Sequence, residues 1–118
     1  MSIQIVLDRA AVAPGETVTG EATWTLTTAP KQFGIRLFWH TSGKASRDTG
    51  IAGEQIVMNA AARGSQRFSF VAPSKPVSYD GPLVSILWAV EAFADADDTV
   101  HEYLIISPTR ERLTLSGA

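Results

Sequence analysis

The stretch PVSYDGPLVSILWAVEAFAD, residues 76–95, decides the fold. From position 84 onward Val84, Ile86, Trp88, Val90 and Ala92 recur at every second residue. That period places them on one face of a strand. The other face carries Leu83, Ser85, Leu87 and Ala89 with Glu91, which is also largely apolar. A strand apolar on both sides is expected to lie at the centre of a sheet and to be mostly buried. In front of it stands a gate rich in turn residues. Pro76 stiffens the approach, Gly81 supplies backbone freedom, and Pro82 biases Gly81 away from helical geometry. Tyr79 suits a sandwich corner, its ring buried and its hydroxyl on a backbone acceptor. The gate is therefore expected to be a corner of the fold rather than a ligand site.

The same alternation recurs along the chain. In ETVTGEATWTLT one face holds Val18, Gly20, Ala22, Trp24 and Leu26, and the other Thr17, Thr19, Glu21, Thr23, Thr25 and Thr27. SIQIVLD aligns Ile3, Ile5 and Leu7. FGIRLFWHT aligns Phe33, Ile35, Leu37 and Trp39, opposite Arg36 and His40, with Phe38 interrupting the polar side. EQIVM is a short apolar segment after a glycine-rich stretch. SQRFSFVAP alternates Phe68 and Phe70 with Arg67 and Ser69 and stops at Pro73, and VHEYLIISP stops at Pro108. Residues 59–63 could form at most one turn of helix. Short strands separated by Gly, Pro, Asp and Ser clusters are the pattern of an all-β sandwich or barrel. The expected fold is all-β: an immunoglobulin-like antiparallel β-sandwich of about seven to eight strands. A single domain is expected over 1–118, with its core at about 3–107 and a tail at 108–118. In the tail, Leu113 and Leu115 alternate as an edge strand would.

Bulk properties narrow the function classes. A net charge of −2, without a clustered basic excess, argues against nucleic-acid binding. The absence of cysteine excludes thiol chemistry and disulfides. No apolar run approaches the roughly 20 residues of a membrane span. The first residues lack a basic segment followed by an apolar one, so no signal peptide is expected, and a cytoplasmic location is the reading.

Three local patterns together resemble the sandwich lobes of the arrestin family. The first is Pro14-Gly15-Glu16 followed by Val18-Thr19-Gly20. The second is Phe68-Ser69-Phe70 ending at Pro73. The third is Pro76, Ser78, Tyr79 and Gly81 leading into Ile86, Trp88, Val90 and Ala92. Their order and spacing resemble an N-terminal arrestin lobe, as in a small bacterial relative akin to sporulation-control proteins. Arrestins carry two such lobes, and this chain has length for one. It also lacks a Pro-Pro-x-Tyr motif and a phosphate-sensing basic cluster, so receptor desensitisation is not implied. The resemblance implies an arrestin-type fold, a structural role for the signature residues, and a non-enzymatic adaptor or scaffold that binds protein.

Candidate chemistry is sparse. No nucleophile-elbow pattern accompanies the two histidines, His40 and His101, which read as surface residues. The densest polar cluster, Asp95, Asp97, Asp98, His101 and Glu102, reads first as turn chemistry. The alternative is a Ca²⁺ or small-ligand site, since calcium takes about six to eight oxygens. The spacing fits no EF-hand, so no metal and no cofactor is expected. Trp24, Trp39 and Trp88 fall on inward faces and read as core. With one lobe instead of two, the sequence predicts a homodimer, or a partner bound along an edge strand.

Overall fold

A computed structural model describes residues 2–43, 48–76, 78–80, 84–95, 98–109 and 113–114. Ten strands follow one another: β1 (Ser2–Leu7), β2 (Ala11–Val12), β3 (Thr17–Thr25), β4 (Phe33–Gly43), β5 (Thr49–Val57), β6 (Arg63–Val71), β7 (Tyr79–Asp80), β8 (Val84–Ala94), β9 (Asp98–Ile106) and β10 (Leu113–Thr114). A three-stranded sheet in the order β1-β3-β6 lies against a larger sheet. The main path of the larger sheet is β10-β7-β8-β4-β5, with β9 also on β8 and β2 on β9. The expected all-β sandwich is therefore present.

Burial follows the alternation. Val18, Ala22 and Trp24 from β3, Phe33, Ile35 and Leu37 from β4, Phe68 and Phe70 from β6, and Trp88, Val90 and Ala92 from β8 form one core between the sheets. Trp24 stacks on Phe33 with ring centroids 4.1 Å apart. Strand β8 pairs with β4 over its whole length. Its other side is shared by β9, from Trp88 to Ala94, and β7, at Ser85 and Ile86. That arrangement makes β8 the central strand its composition predicts.

Three details differ from the sequence expectation. Among the described residues the strands number ten because β2, β7 and β10 are two residues each, too short to show a period. The sheets are not purely antiparallel, since β2 runs parallel to β9 and β10 parallel to β7. Strand β5 begins at Thr49, within the glycine-rich stretch. There Gly50 lies against the Trp39 ring and Gly53 against that of Phe70, where a Cβ would collide. These glycines make room for aromatic rings within the strand. Residues 59–63 hold no helix; Asn59, at φ 54°, takes the left-handed turn that asparagine tolerates.

Several residues of the three patterns make defined contacts within the sandwich. Gly15, at φ 88°, donates its N–H to Ala72 O at 2.8 Å, and Ala72 N–H donates to Glu16 O at 2.8 Å. The Pro14-Gly15 turn is thus clasped to the end of β6. Gly20 is in register with Phe68, whose ring occupies the space a Cβ would need. In the gate the buried polar anchor is Ser78, whereas Tyr79 is half-buried and belongs to β7. Ser78 donates its N–H to Ile106 O at 2.7 Å, and its Oγ accepts the N–H of Ile106 at 2.9 Å. The Trp88 indole N–H donates to Pro76 O at 2.8 Å. Gly81 lies outside the described residues.

Trp88 is 1% exposed, so Trp88→Ala should cost about 3–5 kcal/mol, as other large-to-small core changes do. Ser78→Ala removes an acceptor from a buried backbone N–H and should cost about 1–3 kcal/mol. Urea melts check both. A loss below about 1 kcal/mol for Trp88→Ala would contradict its central placement.

Candidate functional site: the outer face of the larger sheet

The smaller sheet covers one side of the larger one. The other side is laid out by strand register. Arg36 on β4 is opposite Glu54 on β5 and Glu91 on β8, and Glu91 is opposite His101 on β9. The row Glu54–Arg36–Glu91–His101 therefore crosses four strands. Next to it, Phe38 is opposite Ile51 and Ala89, and Ala89 is opposite Tyr103. A β-bulge between Leu37 and Phe38 brings Ile51 into this second row.

The charged row is connected throughout. Arg36 Nε lies 3.2 Å from Glu54 Oε2, and Arg36 Nη1 lies 3.5 Å from Glu91 Oε1. The contact to Glu54 lacks hydrogen-bond alignment, leaving the buried Nε without such a partner among the described residues. His101 Nε2 lies 2.9 Å from Glu91 Oε2. The guanidinium sits over the Phe93 ring, 4.1 Å from its centroid. Gly34 makes this possible, because the Phe93 ring occupies the space of its missing Cβ. Glycine, phenylalanine and arginine together set the position of the charge.

The second row is apolar. Ile51 and Tyr103 are 59% and 52% exposed. The Phe38 ring lies between the two histidines, with centroids 5.9 Å from His40 and 5.4 Å from His101. His40 also approaches the Tyr103 hydroxyl at 3.4 Å. The histidines thus lie at the surface, as read from the sequence, and there belong to a side-chain cluster. Open depressions lie beside Arg36 and Glu91. One of about 470 Å³ is lined by Lys31, Gln32, Phe93, Asp95 and Thr99, and one of about 400 Å³ by Phe38, Thr49, Gly50 and Ile51.

The acidic cluster read from the sequence does not converge on one point. Asp95, at φ 55°, ends β8 and clasps Gln32: its Oδ1 accepts the Gln32 N–H at 3.0 Å, and its own N–H donates to Gln32 O at 2.8 Å. Asp98 begins β9 opposite Ala94, and Glu102 is opposite Val90 farther along that strand. Asp97 lies outside the described residues. Among the described residues no group of three or more potential metal-binding side chains comes together.

The outer face of the smaller sheet is different. It presents Thr19, Thr23, Thr25, Ser65 and Ser69 with the charged pair Glu21 and Arg67, whose register neighbour Val6 is exposed. Arg67 is hydrogen-bonded to Asp8, which also accepts from the Thr19 hydroxyl at 2.7 Å. Those two contacts, Arg67 first, hold the Asp8 carboxyl below its ordinary pKa.

No protein-family model matches the chain, and no curated protein matches it in sequence. Among solved structures, the sporulation control protein Spo0M from Bacillus subtilis superposes with a TM-score of 0.62 at 14% identity. The match covers 89% of this chain and 48% of Spo0M, so the chain spans about half the length of that protein. The fold is thus similar to that of a sporulation-control protein, in agreement with the arrestin-type resemblance read from the sequence. A β-glucosidase from Listeria innocua superposes with a TM-score of 0.50 at 13% identity, over 95% of this chain and 16% of the enzyme.

Two measurements follow. A carboxyl whose pKa is depressed on folding contributes stability above its unfolded value and loses it as pH falls through the folded one. Arg67→Ala should therefore raise the Asp8 pKa in an NMR titration and lessen the loss of stability on acidification; an unmoved Asp8 pKa would contradict the contact. Calorimetric titration with CaCl₂ should show no micromolar binding, because Asp95 is engaged with Gln32. Such binding, abolished by Asp98→Asn, would establish the acidic segment as a calcium site.

Proposed function

We propose that this protein is a non-enzymatic, arrestin-like binding module that recognises another polypeptide with the outer face of its larger sheet. The observation that carries this reading is the apolar row Ile51–Phe38–Ala89–Tyr103, with Ile51 and Tyr103 exposed and Ala89 buried, beside the charged row through Arg36. Single exposed apolar residues are ordinary on any protein. A large aliphatic and a tyrosine, each more than half exposed and joined through a phenylalanine, form a patch of the kind interfaces use. A guanidinium held over an aromatic ring adds the arginine that interfaces favour. The histidines fit a binding face, since His40 approaches the Tyr103 hydroxyl and His101 contacts Glu91. The fold likeness to a protein named for the control of sporulation is consistent with a regulatory role in the cytoplasm.

Photo-crosslinking tests the reading. A benzophenone side chain is placed at Tyr103, or at Thr23 on the opposite outer face, in the protein expressed in its own host. Discrete adducts are expected from position 103 and not from position 23, and they should be lost when Arg36→Glu is added. Equal adducts from both faces, or none from position 103, would overturn it.

A further inference from the structure

We infer that the polypeptide seated on this face is a second copy of the same chain, docked about a two-fold axis that runs parallel to the strands between β4 and β8. The inference rests on the proposal that this face binds protein, and it identifies the partner. The argument comes from the order of residues within each row. A rotation about an axis along the strands keeps each row at its own height and reverses its order from side to side. Strand β4 of one copy then faces β8 of the other, and β5 faces β9.

The polar row survives that reversal with each carboxylate facing a nitrogen-bearing side chain, Arg36 or the His101 imidazole. Arg36 meets Glu91 of the second copy, and Glu54 meets His101 of the second copy, each pair occurring twice by symmetry. In the apolar row the two exposed residues meet: Ile51 faces Tyr103 of the second copy, twice by symmetry, while Ala89 is buried within its own chain. A row ordered minus-minus-plus-plus would also tolerate this operation, but one ordered minus-plus-plus-minus would not, so the sequence along the row constrains the partner. The Arg36 side chain is about a third exposed, so the guanidinium is open to a carboxylate from outside the chain, although its Nε is buried.

Packing agrees. Sheets packed face to face keep their strands within about 30° of one another, as this axis requires. The alternative read from the sequence, strand addition at an edge, is opposed by the larger sheet itself. Edge strand β5 carries the bulge next to Phe38, β10 covers β7, and β9 is partly covered by β2. Leu113, one of the two tail residues that suggested an edge, pairs with Tyr79 of its own chain; Leu115 lies outside the described residues.

Sedimentation equilibrium over a wide concentration range tests the inference, with circular dichroism to verify folding. The wild type should be a dimer. Ile51→Glu, at a position more than half exposed, should weaken self-association at least about tenfold, as should Arg36→Glu or Glu91→Arg, which each place like charges face to face. An equimolar mixture of Arg36→Glu and Glu91→Arg should recover the dimer, because the acidic position 36 of one then faces the basic position 91 of the other. A purely structural role for these residues would give no such recovery. A wild-type monomer throughout, a dimer indifferent to Ile51→Glu, or a mixture of folded single variants no better than either alone would overturn the inference. If the charge variants do not fold, Ile51→Glu and Tyr103→Glu decide it. A monomer that still gives foreign-protein adducts at position 103 would remove the second copy and leave the binding face standing. A dimer without self-adducts or foreign adducts there would remove both.

Discussion

A tryptophan buried at the centre of a sandwich must find an acceptor for its indole N–H, and much of this fold can be traced from that requirement. Trp88 is surrounded by core, and Pro76 O meets its N–H at 2.8 Å. The segment before β8 must therefore pass close to the middle of its own strand, twelve residues away in sequence. Having come that near, it is fixed by Ser78, which both donates to and accepts from the backbone of Ile106. That exchange ties the gate to the end of β9 and sets β7 beside the first part of β8. An unpaired buried N–H would cost more than a hydrogen bond gains, so these contacts matter chiefly by what their loss would leave exposed in the core. Pro76 and Ser78 are thereby held to Trp88 and Ile106.

The inward faces were legible in the sequence because period two is a local property. Val18, Ala22 and Trp24, or Phe33, Ile35 and Leu37, can be assigned to a core without knowing what they pack against. The three arrestin-type patterns were legible for a related reason. Each is short, and the structure joins two of them through the clasp of Gly15 and Glu16 on Ala72. The tyrosine of the gate was given the anchoring role because tyrosines commonly hold sandwich corners, but here the smaller hydroxyl of Ser78 fits the buried position. For strand β5 only EQIVM stands out as apolar in the sequence, whereas the strand starts at Thr49 within the glycine-rich stretch. Its Gly50 and Gly53 are the places where Trp39 and Phe70 lie across the sheet.

The outer-face rows could not be read from one chain in the same way. His101 and Glu91 are ten residues apart, and Arg36 is far from both. Only the pairing register of β5, β4, β8 and β9 brings them into line, and the bulge that puts Ile51 beside Phe38 shifts that register. One signal was present: Phe38 interrupts an otherwise polar alternation. An aromatic on the wrong side of a strand is costly in water, and here its neighbours are Ile51, Ala89 and the two histidine rings.

How the larger sheet treats its edges bears on how it meets other molecules. Glu102 is opposite the fully buried Val90, on the inward side of β9, and is nevertheless exposed. A charge on that side of an edge strand cannot be carried into a continuing sandwich, so it disfavours an added strand. Bulging of β5 and the cover given by β10 and β2 act in the same direction. Backbone hydrogen bonding, the least selective way for β proteins to associate, is therefore restrained along this sheet. Association through its face, as proposed, would depend instead on side chains in a fixed order across the strands. A surface organised in that way gains specificity from register, and register is what the buried alternation of β4 and β8 holds constant. The core that specifies the fold thereby also specifies the pattern the protein presents to a partner.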